Sequence, residues 1–231
     1  MTLELPPLRP LGPARVSCEP LGGHPSYAGL LAAAATTGCC PVWVSERGLE
    51  TVEPRPDPAP ELAALDGRDA AGFLADHWPR NCPLCGCRDG FGSFPGLAAP
   101  TLVDGRDALA VAGRSALVRR PAHLTLVAVR RPADALVALG WSGTCNAHND
   151  LVGLSSVLRS WEDRYGAVLV EIDFMTLWVS VAAPPRTPQE CRAVAAEHFA
   201  FCPDVDWEDP RPLDRYAADL AGRDWWRFWW D

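Results

Sequence analysis

The chain has no lysine: all 21 of its basic residues are arginine, set against 29 aspartates and glutamates, for a formal net charge of −8. Divided at residue 116, the halves carry 9 Arg with 13 acids and 12 Arg with 16 acids, so each is −4 and neither is basic. Affinity for nucleic acid rests largely on cations that neutralise phosphates, so a uniformly acidic chain excludes nucleic acid as a main partner. The same reasoning excludes an anionic membrane surface. Arginine without lysine, together with abundant Ala, Gly and Pro, reads as the codon usage of a GC-rich bacterial genome and carries no functional meaning. Long apolar runs are also missing. The longest, around Ala28 to Ala35, falls far short of the roughly 18 residues of a membrane span. The opening "MTLELPPLRPLGP" has neither the basic region nor the apolar stretch of a secretory leader, and the expected location is cytoplasmic. There is no phosphate-binding glycine loop, no H-E-x-x-H and no G-x-S-x-G, so the simplest signatures of several enzyme classes are absent.

What is present is an ordinary globular composition, 48% hydrophobic and 22% charged over 231 residues, with an unusual ten tryptophans and nine cysteines. In a reducing compartment cysteines act as small buried hydrophobes, metal ligands or nucleophiles, and an odd number fits that better than a disulfide framework.

Residues 1 to 25 read as an irregular arm rich in Pro and Gly. "SYAGLLAAAATTG" predicts a short helix with Ser26 as its cap and Gly38 at its end, and Pro41 to Glu46 predict a strand. Prolines at 54, 56, 58 and 60 predict an extended spacer. A helix is expected over Asp69 to Trp78, with Phe73, Leu74, His77 and Trp78 on one side. From residue 117 the pattern sharpens. His123 to Arg130 read as a strand, and "PADALVALG" as a short helix opened by Pro132 and closed by Gly140. Leu151, Leu154, Leu158, Trp161 and Tyr165 recur at helical spacing behind a cap at Asn149 or Asp150. "AVLVEI" and "TLWVSVA" read as a hairpin. Thr187, Pro188 and Glu190 form a complete helix start signal of the T-x-x-E kind. "LDRYAADLAG" predicts a last helix and "WWRFWWD" a last strand.

The expected class is α+β. A C-terminal domain, 117–231, has the strand, helix, strand, strand, helix, strand order of a ferredoxin-like sandwich, and the N-terminal segment, 1–116, packs on it as a mixed α/β cover. In the terminal strand Trp225 and Trp229 point one way and Trp226, Phe228 and Trp230 the other, so both faces carry large aromatics. One set fits beneath the helices; the other needs a cover from the N-terminal segment, a partner or a ligand.

The blocks "RPADALVALGWSG", "VLRSWEDRYGAVLV", "RTPQECRAVAAEHFAFCPD" and "WWRFWWD" resemble an uncharacterised bacterial family common in actinobacteria, domain of unknown function 4253, over about residues 120–231. The resemblance implies no activity, cofactor or catalytic residue, and "CPLCGC" and Cys191 depart from the family's usual pattern.

Three constellations bear on chemistry. In "NCPLCGC", Cys82 and Cys85 have the spacing of a zinc knuckle, with Cys87 and His77 as third and fourth ligands and Cys39 or Cys40 as rivals. A Gly-rich loop of reduced thiols and a redox CxxC are the alternatives. His198 and Cys202 lie four apart on one helical face, with Cys191 two turns earlier, which reads either as a nucleophile pair or as a core histidine among apolar neighbours. Cys145 and His148 stand in the loop "WSGTCNAHND" before a helix N-terminus, where a thiol is activated, although Ser, Gly, Asn and Asp are also what a tight capping loop requires. "DVDWED" lacks the glycine of a calcium loop and reads as a solvated acidic turn. The expected function is a cytoplasmic module that binds another protein through a Trp-rich surface and carries a structural zinc staple. The alternative is a metal-assisted or cysteine-thiol enzyme built on Cys145 and His148 or on His198 and Cys202.

Overall fold

The computed structural model describes residues 5–22, 27–78, 92–101, 107–117, 121–145, 147–204 and 212–231. Seven strands form one mixed sheet: β1 (Leu8–Leu11), β2 (Ala14–Ser17), β3 (Cys40–Val44), β4 (His123–Val127), β5 (Ala167–Ile172), β6 (Thr176–Val181) and β7 (Trp225–Trp229). Their spatial order is β1-β2-β4-β3-β5-β6-β7, and every pairing is antiparallel except β3 with β5. The helices are α1 (Tyr27–Thr37), α2 (Ala59–Ala64), α3 (Ala70–His77), α4 (Ala108–Leu117), α5 (Ala135–Leu139), α6 (Leu151–Tyr165), α7 (Pro188–Phe201) and α8 (Pro212–Asp219).

The α+β class holds, but the strand order departs from a ferredoxin-like sandwich. The expected succession survives along the chain as β4, α5 with α6, β5, β6, α7 with α8, β7. In space β3, from the N-terminal half, stands between β4 and β5. The reason lies in its residues: Cys40-Pro-Val-Trp-Val44 is buried at every position, as a central strand must be when both faces are covered. Pro41 is tolerated because pairing with β5 begins only at Trp43. The segment 1–116 is therefore woven into the sheet of 117–231 and does not merely lie on it.

Two further expectations are corrected. Within residues 1 to 25 the chain makes the β1–β2 hairpin, whose two-residue turn places Gly12 at φ +56°. Four-residue strands containing Pro10 are too short to show a period. The proline spacer does not stay extended through residue 60. Helix α2 starts at Ala59 with Pro60 in its first turn, where the missing amide costs nothing.

Local signals otherwise act as their chemistry requires. Asp150 accepts from Gly153 N to start α6, Thr187 and Glu190 close a reciprocal capping box on α7, and Asp69 caps α3. Helices α2, α3 and α5 to α8 lie over one face of the sheet and share its large core. Helices α1 and α4 cover the centre of the other face, where Tyr27 stacks on Trp43 beside Leu124, Val168 and Val170. His123, on β4, is buried and binds Ser17 O through Nδ1 at 2.8 Å and Glu46 through Nε2 at 2.7 Å, tying β4 to β2 and to the end of β3.

Gly140 ends α5 at φ +61°, and a Cβ there would meet the Glu53 carbonyl oxygen at 2.1 Å. Backbone cannot yield as a side chain can. Gly140→Ala is expected to lower the free energy of unfolding by about 2 kcal/mol or more. Urea denaturation checks this, and an unchanged midpoint would contradict the packing described.

Candidate functional site at the edge strand

Beneath β7, the helices α6 and α7 meet at a buried ion pair. Glu197 has no exposed surface, yet both of its carboxylate oxygens are fully engaged. Oε1 accepts from Arg164 Nη1 at 2.8 Å and from Ala98 N at 2.7 Å; Oε2 accepts from Arg164 Nη2 at 2.6 Å and from Trp161 Nε1 at 2.8 Å. Burial works against the Arg164 charge, but the hydrogen bonds and attraction of Glu197 raise its pKa above the ordinary value. Removing one member of such a pair leaves the other buried and uncompensated, at a cost of roughly 3–5 kcal/mol.

The neighbouring His198 sits in an aromatic box. Its ring is 4.4 Å from Trp226, 4.9 Å from Phe228 and 5.0 Å from Trp161 between centroids, all edge-on, and Nδ1 meets Tyr216 Oη at 2.9 Å. Trp161 stacks on Phe228, while Trp226 also touches Tyr165. Trp226, Phe228 and Trp230 are thus the inward half of β7, and all are buried.

The outward half is different. β7 ends the sheet, and it shows Trp225, Arg227 and Trp229 to the face that α1 and α4 leave uncovered at this edge. Trp225 is 36% exposed and Trp229 40%. Trp178, opposite Arg227 on β6, packs against Trp225 at 5.3 Å between centroids. The guanidinium of Arg223 lies 4.9 Å over Trp225 and that of Arg227 lies 5.6 Å over Trp178. Edge strands usually discourage contact with charge or proline. This one also carries a charge, Arg227, but sets it between two partly exposed indoles, and tryptophan with arginine is a composition enriched in protein interfaces.

The residues singled out from sequence divide sharply. Cys82, Cys85 and Cys87 lie outside the described residues, so of the expected zinc set only His77 is placed. It ends α3, binds Phe73 O through Nδ1 at 2.8 Å, and its ring stands 4.8 Å from that of His148. The rivals Cys39 and Cys40 lie elsewhere: Cys40 is buried in β3 with its thiol on Val129 O, and burial pushes its pKa up to about 12. His198 and Cys202 share a helical neighbourhood without pairing. The Cys202 thiol donates to Trp229 O at 3.0 Å, burial raises its pKa, and both side chains are fully buried. Their neighbours are aromatic and apolar. Cys191 is also buried, at the floor of a groove between α7 and α8. Cys145 is exposed, and the ring of His148 is turned onto Phe73 and His77.

A cleft of about 450 Å³ is lined by Arg68, Arg131, Arg159 and Arg164. Each is already paired: Arg68 with Asp150, Arg131 with Glu162 and Asp163, Arg159 with Asp134 and Asp66, Arg164 with Glu197. That compensation leaves the cleft without the surplus positive charge an anion would need.

Comparison with known proteins adds one finding. Residues 123–231 match the family model described as Domain of unknown function (DUF4253). This part of the chain is similar to that family. It contains the whole ion pair, the aromatic box and the outward ladder of β7, while β1 to β3 and α1 to α4 precede it. No match was found among curated proteins or among solved structures. The DUF4253 region also holds what sequence reasoning missed. Glu197 lies in the apolar run "AVAAEHFAF", and a lone carboxylate there demands a buried cation, a signal that the adjacent histidine masks.

Burial holds the His198 imidazole well below its usual pKa, with the Arg164 charge acting in the same direction. The unfolded chain takes up that proton near pH ~6.5 and the folded chain does not. The stability tied to neutral His198 is therefore present above that pH and lost as pH falls, by at most about 1.4 kcal/mol per unit. The stability difference between the native chain and His198→Phe is expected to shrink between about pH 7 and about pH 5.5. Urea unfolding of both at the two pH values checks it; a difference independent of pH would refute it.

Proposed function

We propose that the protein is a cytoplasmic binding module that docks a partner protein on the outward face of β7. The observation that carries this reading is the exposure of Trp225 and Trp229 on an edge strand whose alternate residues are fully buried. A tryptophan offers roughly 150–250 Å² for burial, and the 36% and 40% still exposed on these two leave a partner about 3–5 kcal/mol of gross burial energy. Arg223 and Arg227, stacked on the indoles, favour a partner that brings an apolar patch flanked by carboxylates. The thiols of Cys18, Cys39, Cys40, Cys191 and Cys202, none of them in a disulfide, support a reducing compartment. Among the described residues no helix is long and apolar enough to cross a membrane.

A photo-crosslinking residue in place of Trp229, in cells that make the protein, is expected to yield a discrete protein adduct that Arg227→Glu abolishes. The same residue in place of exposed Leu109, on α4, should yield none. No adduct at 229, or the same adduct at both positions, would contradict the reading. Once the partner is in hand, Trp229→Ala should weaken its binding by about 30-fold, the scale of an interface hot spot.

A further inference from the structure

We infer that His77 and His148 together form a binding site for one zinc-type divalent cation. The two lie 71 positions apart, at the end of α3 and in the turn before α6. Close packing of those helices brings them together: Phe73 presses so tightly on Gly153 that a Cβ there would stand 2.1 Å from the ring. The imidazole centroids are 4.8 Å apart with their planes inclined at 58°, and the Phe73 ring walls one side at 4.1 Å from His77 and 5.6 Å from His148. A zinc ion about 2.0–2.1 Å from one nitrogen of each ring, at a near-tetrahedral angle, sets the centroids about 5 Å apart.

The nitrogens are prepared for this. Phe73 O can only accept, so His77 Nδ1 carries the proton and Nε2 keeps its lone pair. A backbone carbonyl on the far nitrogen is the usual way a ligating histidine is oriented. On His148 the Nδ1 atom is buried with no hydrogen-bond partner among the described residues, an unmet capacity that a metal would satisfy. Two imidazoles select zinc, nickel, copper or cobalt over magnesium or calcium. The site stands on these two residues and does not depend on the protein-docking reading.

The test uses the full chain stripped of metal with a chelator and titrated with zinc, following the histidine ring protons by NMR and the thermal midpoint. One equivalent is expected to shift the His77 and His148 resonances and raise the midpoint, and His77→Gln and His148→Gln should each weaken zinc at least 10-fold. The midpoints of both variants in chelator should stay near that of the stripped native chain, which separates loss of a ligand from loss of the fold. Zinc that leaves both resonances unmoved, or that both variants bind as tightly as the native chain, would overturn the proposal. So would zinc lost from a chain with Cys82, Cys85 and Cys87 changed to Ser while the two histidine variants retain it, since the metal would then belong to the thiols.

Discussion

The carboxylate of Glu197 is the constraint around which the C-terminal half is arranged. A charge with no access to water has to be surrounded, and here four donors from three places converge on it: the guanidinium of Arg164, the indole of Trp161 and the amide of Ala98. Arg164 and Trp161 both come from α6 and Glu197 from α7, so the pair fixes how these helices lie against each other. Ala98 adds the segment before α4, whose amide and carbonyl both contact the pair. A hydrophobic contact could slide by a fraction of an ångström; a bidentate pair with two further hydrogen bonds cannot without losing several at once.

From that fixed junction the rest of β7 follows. Trp161 stacks face to face on Phe228 and lies T-shaped to His198, so the inward residues of the strand have one way to fit. Since side chains alternate along a strand, setting Trp226, Phe228 and Trp230 inward also sets Trp225, Arg227 and Trp229 outward. Nothing in the core requires the outward residues to be aromatic. The binding reading therefore rests on the half of the strand that the fold leaves free to be anything. The Cys202 thiol on Trp229 O secures the end of the strand from the helix side, which gives a supporting role to a residue whose spacing from His198 had suggested chemistry.

Much of this was legible in the sequence where a local rule governs. The capping box at Thr187 and Glu190, the glycine ends at Gly38 and Gly140, and the alternation in "WWRFWW" each reflect forces acting over a few residues. What was hidden depends on distant parts meeting. The strand Cys40–Val44 was visible as a strand, but nothing within it says that it enters between β4 and β5 and breaks a ferredoxin-like order. Helix α4 and the β1–β2 hairpin are too short or too weakly patterned to stand out. His77 and His148 belong to two separate motifs, and only the packing of α3 on α6 makes them neighbours.

The central claim is that one strand has a structural half and a binding half, set by the junction at Glu197. The most direct measurement is the free energy of unfolding of Trp226→Ala beside that of Trp229→Ala, two truncations of the same residue type three positions apart. The account predicts a loss of about 3–5 kcal/mol for the first and about 1 kcal/mol or less for the second, which keeps its fold. Equal losses for the two would contradict it, because Trp229 would then belong to the core and the outward face would have no residue to spare for a partner.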